Sequence, residues 1–425
     1  MPDLMSQPAA PAAAVLLTGS ELLDGRVRDR NGAYLTADLA RRGLQTERLV
    51  LTCDDQTTIA SAVRWLLAAR PRVLVVSGGL GTTHDDLTAA AVGEALDRPL
   101  REDPQALAWV EARMRPFYER RGLDFEAVST MARRQAMLPT GSRPLAPAGA
   151  APGFTIMQGD THVVVLPGVP RELEPMWQAA AADLEREGVF PGGGLSLVRI
   201  HGAGELQVAP VLERAVAASA GLLRAGITAG DGEITVALRH DGDNAGRRAA
   251  EQAGAVLDAE LPVYSRDGRD VDAILADELR ARGETVAVAE SCTGGLLGAR
   301  LTARPGSSDY FVGGVISYAD EVKAKLLGVP AQLLAQHGAV SEPVAAAMAA
   351  GVEAATGATW GIGITGIAGP DGGSAEKPVG LVYIACAEPA GARVERHHFS
   401  GDREAVRNQA VTAALHALRR DLGLS

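Results

Sequence analysis

The segment from Ala289 to Ala299, AESCTGGLLGA, sets two nucleophile-capable side chains, Ser291 and Cys292, between an apolar run and a glycine pair. That order reads as a strand that ends, a tight turn, and a helix that begins, with Thr293 as a natural cap. A helix amino terminus carries unpaired N–H groups and a partial positive charge. Backbone donors near Thr293 and Gly294 would face an oxyanion formed at Ser291, and the glycines let a substrate approach the main chain. Serine needs a base. The segment ISYADEVKAK supplies Tyr318 and, about one helical turn further, Lys323. A desolvated lysine can accept the serine proton, and Tyr318 can relay it or orient the pair. A plainer reading is equally open at this point: Ser291 as a helix cap and Lys323 as a solvated helix residue. Cys292 is a rival nucleophile, with no His or Asn placed by the sequence to pair with it.

A second glycine loop, TGIAGPDGG from Thr365 to Gly373, also follows an apolar run. Such loops form anion nests, although turn chemistry accounts for the composition as well. Near the amino end, SGGLGTTHDDLT carries Asp85 and Asp86, and TGSELLDG carries Glu21. Carboxylates at neighbouring strand ends can hold a hard divalent ion against a pyrophosphate, and glycine amides can take its oxygens. The alternative is that Asp85 and Asp86 open the helix DDLTAAAVGEAL, where acidic residues suit the dipole.

These residues need strands and helices to position them. AAAVLLTG, TERLVLTC and RVLVVSGG read as strands, and NGAYLTADLARRG and TTIASAVRWLLAAR as helices between them. This βαβαβ rhythm predicts a mostly parallel sheet covered by helices, with ligands at the carboxyl ends of the strands. From about 191 to 265 the order is strand, helix, strand or hairpin, helix, a small α+β module of the KH type. It has no GxxG loop joining two helices, so RNA clamping is unsupported, and a spacer or dimerisation role is expected instead. From Asp270, VDAILADELRARG (helix), ETVAVAE, FVGGVISY and TWGIGITG (strands), and DREAVRNQAVTAALHALRR (helix) make a second α/β domain. The expected division is a disordered tail at 1–11, α/β domains at 12–190 and 270–425, and the module at 191–265.

The 425 residues suit two to four domains at roughly 100–200 residues each, and 47% hydrophobic with 22% charged residues is ordinary for a globular chain. The net charge of −11 and the lack of a long Lys/Arg run argue against a nucleic-acid grip. Three cysteines without metal-site spacing fit a reducing compartment. No apolar run approaches the ~20 residues needed to cross a bilayer. A cytoplasmic protein with no nucleic-acid or membrane partner is expected.

The segments AESCTGGLLGARLTARPGSSDYFVGGVISYADEVKAKLLGV, HGAVSEPVAAAMA and GIGITGIAGPDGGSAEKPVGLVYIA closely resemble the nicotinamide-nucleotide amidase domain at the carboxy end of CinA proteins. The resemblance covers about residues 270–425. It implies deamidation of nicotinamide mononucleotide to nicotinate mononucleotide and ammonia, without a cofactor. It makes Ser291 the nucleophile, with Tyr318 and Lys323 as its activators. Thr293 and Gly294, with Thr365, Gly366 and Gly369 of the second loop, become substrate-pocket residues. His337 lies in a family motif and is assigned a structural role.

Residues 12–180 resemble the MoaB/MogA-like, molybdopterin-binding-like domain of the same family, through GSELLDGRVRDRN, GGLGTTHDD, APGF and LPGVPRELEPMW. This resemblance implies a metal-dependent ADP-ribose pyrophosphatase. Glu21, Asp85 and Asp86 would hold a divalent ion, with a possible monovalent cation beside it. Asn31, Gly79 and Gly81 would hold ADP-ribose. Ser20, Arg30 and Thr82 depart from the family's usual Asp, Thr and Pro, and the carboxylate lost at position 20 would weaken or move the metal. The family also implies a homodimer. Two other classes compete: a competence-associated adaptor, disfavoured by the acidic charge, and a molybdopterin-handling enzyme, suggested by the first domain alone.

Overall fold

The computed structural model describes residues 12–121, 129–192, 194–388 and 391–424. The tail expected at 1–11 lies outside them. The chain forms two compact units: residues 1–195 with 239–248, and residues 196–238 with 249–425.

In the first unit, β1 (Ala12–Thr18), α1 (Ser20–Leu23), α2 (Asn31–Arg41), β2 (Gln45–Thr52), α3 (Gln56–Ala68), β3 (Val73–Ser77) and α4 (Thr88–Ala95) alternate as the sequence predicts. A small two-stranded antiparallel ribbon pairs β4 (Leu100–Glu102) with β5 (Met137–Pro139), with α5 (Pro104–Glu119) and α6 (Ser129–Gln135) between them. Then follow β6 (Arg143–Leu145), β7 (Gly153–Gln158), β8 (Thr161–Leu166) and α7 (Pro170–Arg186). The sheet runs β2–β1–β3–β8–β7–β6, parallel through β8 and antiparallel beyond. Every residue of β3 is buried, as expected of a central strand covered on both faces. Leu16, Val76 and Val163 face Ile59 and Val63 of α3. Their neighbours Val15, Val75 and Val164 face Leu35 and Leu39 of α2 and Trp177 of α7. Period-two alternation therefore feeds two cores, one on each side of the sheet. α4 starts at Thr88, so Asp85 and Asp86 lie in the loop before it rather than in its first turn.

The small module contains β9 (Gly194–His201), α8 (Glu205–Ala217), β10 (Arg224–Gly230), β11 (Glu233–His240), α9 (Asn244–Glu260) and β12 (Val263–Ser265). Its sheet is ordered β10–β11–β9–β12. Val208 and Leu212 of α8 and Ala253 and Leu257 of α9 cover the Val198, Ile200, Val236 and Leu238 face. α8 is followed by a strand, not a second helix, which agrees with the missing GxxG loop.

The remainder holds α10 (Val271–Arg282), β13 (Val286–Glu290), α11 (Leu296–Thr302), β14 (Phe311–Ile316), α12 (Asp320–Leu327), α13 (Ala331–His337), α14 (Glu342–Thr356), β15 (Trp360–Gly366), β16 (Leu381–Glu388), β17 (Gly391–His398) and α15 (Arg403–Asp421). The sheet is ordered β14–β13–β15–β16–β17, with the first three strands parallel. Val344, Met348 and Val352 of α14 cover one face. α15 and α10 cover the other through Val406, Ala410, Leu418, Leu275 and Leu279. α14 lies directly on β15, because a Cβ at Gly363 would collide with the Ala345 carbonyl. α15 is buried nearly all round, as an inner helix must be. No helix among the described residues is long and apolar enough to cross a membrane.

Candidate active sites

Ser291 leaves the carboxyl end of the interior strand β13, between the ends of β14 and β15. The Ser291 amide donates to Ile364 O at 3.0 Å, and the Ser317 amide donates to Glu290 O at 2.7 Å. The nucleophile candidate is 8% exposed, reachable but held by strands on both sides. It is not a helix cap. The N-cap of α11 is Gly295, and no side chain caps it from that position. The carboxylate of Glu290 does that work instead, accepting the amides of Gly295 and Leu297 at Oε2 and of Gly298 at Oε1. Two expectations about donors are corrected here. The Gly294 amide closes a turn onto Ser291 O and is not free for an oxyanion. The Thr293 side chain is no cap: its hydroxyl is buried without a partner. The left-handed φ values of +59° at Gly294 and +99° at Gly295 explain the glycine pair.

Lys323, on α12, is 1% exposed, which removes the solvated reading. Its Nζ donates to Tyr318 O at 3.2 Å and to Asp320 Oδ1 at 3.3 Å. Tyr318 is 62% exposed at the mouth of the site. Among the described residues, no hydrogen bond joins Ser291 Oγ to Lys323 or to the Tyr318 hydroxyl. The three share one end of the sheet without being bonded into a chain. Cys292 is buried, and desolvation pushes its thiol up to about 11, which opposes thiolate chemistry.

Thr365 is buried, and its hydroxyl donates to Ala339 O at 2.8 Å. It therefore ties the HGAVSEP segment to the sheet. Gly366 is small because a Cβ there would press on Val382 Cγ2 at 2.6 Å. Gly369 has φ +80° and offers its carbonyl inward. The imidazole of His337 is exposed, and its carbonyl accepts Lys377 Nζ at 2.5 Å.

Sequence reading missed two arginines in the first turns of α15. Arg403 bridges the site, with Nη1 on Gly369 O at 2.7 Å and Nη2 on the Tyr318 hydroxyl at 3.2 Å. Arg407 Nη2 donates to Thr293 O at 2.7 Å, and its Nε is buried without a partner. A signal was present: two cations spaced i, i+4 at a helix start oppose the dipole and need another reason to be there.

In the first unit, a cavity of about 570 Å³ opens at the carboxyl ends of β1, β3 and β8. Glu21, Asn31, Gly79, Gly81, Asp85 and Asp86 all line it. Side chains at Gly78 and Gly79 would collide with Thr18 and Thr88, and both glycines have positive φ. Asn31 Nδ2 donates to Gly168 O at 2.7 Å and Ser77 Oγ at 3.2 Å, and its Oδ1 is buried without a partner. Asp86 accepts the Thr83 amide at 2.7 Å and the Thr83 hydroxyl at 2.6 Å, closing its own loop. Ser20 exchanges hydrogen bonds with Asp54: the Ser20 amide donates to Oδ2, and the Asp54 amide to Ser20 Oγ. Arg30 is exposed and Thr82 lines the cavity.

The donor chemistry of this cavity suits a hard cation, but the geometry does not enclose one. Among the described residues, no three of His, Cys, Asp and Glu converge on a point that could hold a metal ion. Glu21, Asp85 and Asp86 share a cavity without forming a ligand set.

A family model described as "CinA C-terminal domain" matches residues 269–422. Another, described as "Probable molybdopterin binding domain", matches residues 14–186. A CinA-like protein from Mycobacterium sp. (strain JLS) is 40% identical over 424 residues, covering 96% of this chain and 98% of the relative. A CinA-like protein from Mycobacterium tuberculosis (strain CDC 1551 / Oshkosh) is 38% identical over 421 residues, covering 96% and 97%. The crystal structure of the competence damage-inducible protein A from Klebsiella pneumoniae is 40% identical, covers 36% of this chain and 95% of its own, and has a TM-score of 0.35. Identity at this level along nearly the whole of both chains makes this protein a member of the CinA-like family.

Proposed function

We propose that the carboxy-terminal part of the second unit deamidates nicotinamide mononucleotide to nicotinate mononucleotide and ammonia. The observation that carries this reading is the Ser291 turn at a sheet end that also carries buried Lys323, with Arg407 bonded to the Thr293 carbonyl of that turn. Lysine is rarely buried unless paired; Lys323 is held there by Tyr318 O and Asp320 Oδ1, at the end of the sheet from which Ser291 also leaves. Ser291 Oγ attacks the carboxamide carbon, and Lys323, with Tyr318, takes the proton and returns it to the departing ammonia. Water then cleaves the acyl-enzyme. Catalytic hydrogen bonds commonly tighten only in the substrate complex, so the lack of a Ser291–Lys323 hydrogen bond is compatible with this route. The two guanidinium groups suit a phosphate on the substrate. The test is ammonia release from nicotinamide mononucleotide by the purified protein. Release by wild type and none by Ser291→Ala is the expected result.

A second reading belongs to the first unit: cleavage of ADP-ribose to AMP and ribose 5-phosphate with a divalent metal. Two positive-φ glycines at the end of β3 favour a phosphate-bearing ligand, and the unpartnered Asn31 carbonyl oxygen at the start of α2 can accept from a ribose hydroxyl. Because Glu21, Asp85 and Asp86 do not converge, any ion there would need substrate oxygens and water to complete its shell, the habit of Mg²⁺. Product analysis with and without chelator tests it. Both readings take free nucleotides as partners and a cytoplasmic homodimer as the working form, which light scattering can check.

A further inference from the structure

Glu290 ends the interior strand β13 one residue before Ser291 and is 1% exposed. Its side chain reaches forward past the nucleophile. Oε2 accepts Gly295 N–H at 2.9 Å and Leu297 N–H at 3.1 Å, and Oε1 accepts Gly298 N–H at 2.9 Å. These are amides that a helix start leaves without an intrahelical acceptor. The carboxylate thus closes the 290–298 segment on itself, with Ser291 inside the loop. The Ser291 amide is tied to Ile364 O and the Gly294 amide to Ser291 O. The amides of Cys292 and Thr293 are then the ones with no other residue as partner among those described, and they immediately follow the nucleophile.

We propose that Glu290 is a positioning residue for the amidohydrolase reaction: it clasps the start of α11 and so aims Ser291 Oγ and the following amides at the reacting carboxamide. The proposal rests on Ser291 being the nucleophile. It assigns the oxyanion donors to the turn itself, since the amides of α11 are already occupied. It also explains why the side chain must be a carboxylate. Two oxygens with about four lone-pair sites can take three N–H groups, and charged acceptors bind them about twice as strongly as neutral ones. A carboxamide has one oxygen, so at least one of the three amides would face an NH₂ group. The loop would shift, and a displacement of ~1 Å can cost ~100-fold in rate.

The test compares wild type with Glu290→Gln by three readouts: kcat and KM for nicotinamide mononucleotide, the labelling rate of Ser291 by a serine-directed fluorophosphonate, and thermal unfolding. The expected result is a folded variant with kcat and labelling both down by about 100-fold and KM within about threefold. A folded variant with wild-type kcat and labelling overturns the proposal, as does a loss confined to KM. If wild type labels at Ser291 but releases no ammonia, the substrate reading fails, and the labelling ratio alone decides the role of Glu290. If wild-type Ser291 cannot be labelled, both fall. Should Glu290→Gln not fold, amide exchange in wild type decides: slow exchange at Gly295, Leu297 and Gly298 supports the clasp, and rapid exchange overturns it.

Discussion

At the scale of single residues, the site separates two neighbouring nucleophiles by environment. Ser291 reaches the surface at a strand end, while Cys292 points into the core, where burial opposes its thiolate. Ser291→Ala should therefore abolish ammonia release, and Cys292→Ala should retain most of it. Lys323→Ala should lose roughly 10²–10⁴-fold in kcat if the amine is the general base. Lys323→Arg should not restore it, because a guanidinium stays charged and cannot accept the proton. An active Ser291→Ala beside a dead Cys292→Ala would refute the mechanism. Arg403 and Arg407 belong to the same scale, though sequence reading passed over them. They lie more than a hundred residues beyond Ser291, and no local pattern links them to it.

At the scale of elements, α15 carries the most. Its amino end brings Arg403 and Arg407 to the site, and its carboxyl end is fixed by buried polar contacts. His416 Nε2 donates to Glu233 Oε1 of β11 at 2.6 Å, and Tyr264 Oη donates to the same oxygen at 2.7 Å. Arg419 Nε donates to His416 Nδ1 at 3.2 Å, which makes Nδ1 the acceptor and sets the tautomer. His201 stacks on His416 at 3.8 Å, and burial, followed by the His416 beside it, pushes its imidazole down to about 3. Both rings are thus fitted to be neutral. His416→Ala should leave Glu233 with one partner fewer and cost about 1.5–3 kcal/mol, the range for a hydrogen bond to a charged group. Chemical denaturation monitored by circular dichroism would read it, and an unchanged midpoint would show that the contact carries no stability.

Glu395 on β17 gives α15 a second anchor, one that depends on pH. The His397 hydrogen bond, then the Arg420 pair, lower its carboxyl to about 2. A depressed carboxyl stabilises the fold above its unfolded pKa, and that contribution is lost as pH falls from about 4.5 towards 2. Glu395→Gln should cost about 1–2 kcal/mol at neutral pH after solvent screening, and nothing near pH 2. An acid titration of both proteins should therefore converge at its low end. A constant gap down to pH 2 would contradict the assignment.

At the scale of the whole molecule, the two candidate sites draw on separate units and on different chemistry. Ser291→Ala should spare ADP-ribose cleavage. Asp86→Asn or chelator should remove most of that cleavage and spare ammonia release. Loss of both activities from either substitution in a folded protein would mean that the sites are coupled. The net charge of −11 and the strand that follows α8 also predict no specific nucleic-acid binding. Filter binding at two salt concentrations checks this, and sub-micromolar affinity at physiological salt would overturn it.

The sequence by itself determined the elements, and through them the strand ends where ligands gather. α8 spans the residues read as a helix, and β13 stops at Glu290 where the apolar run stops. Period and turn chemistry are local, so they can be read locally. Tertiary structure alone decided what each polar group does there. The sequence showed a helix start rich in free amides; folding turned the Glu290 side chain back onto three of them. It showed Lys323 on a helix that could have faced water; α12 packs against α14 and buries it. It showed three acidic residues suited to a metal; the loops hold them in one cavity but apart. Hydrogen-bond partners and burial depend on which distant segments meet, and that information lies in the packing rather than in the spacing of residues along the chain.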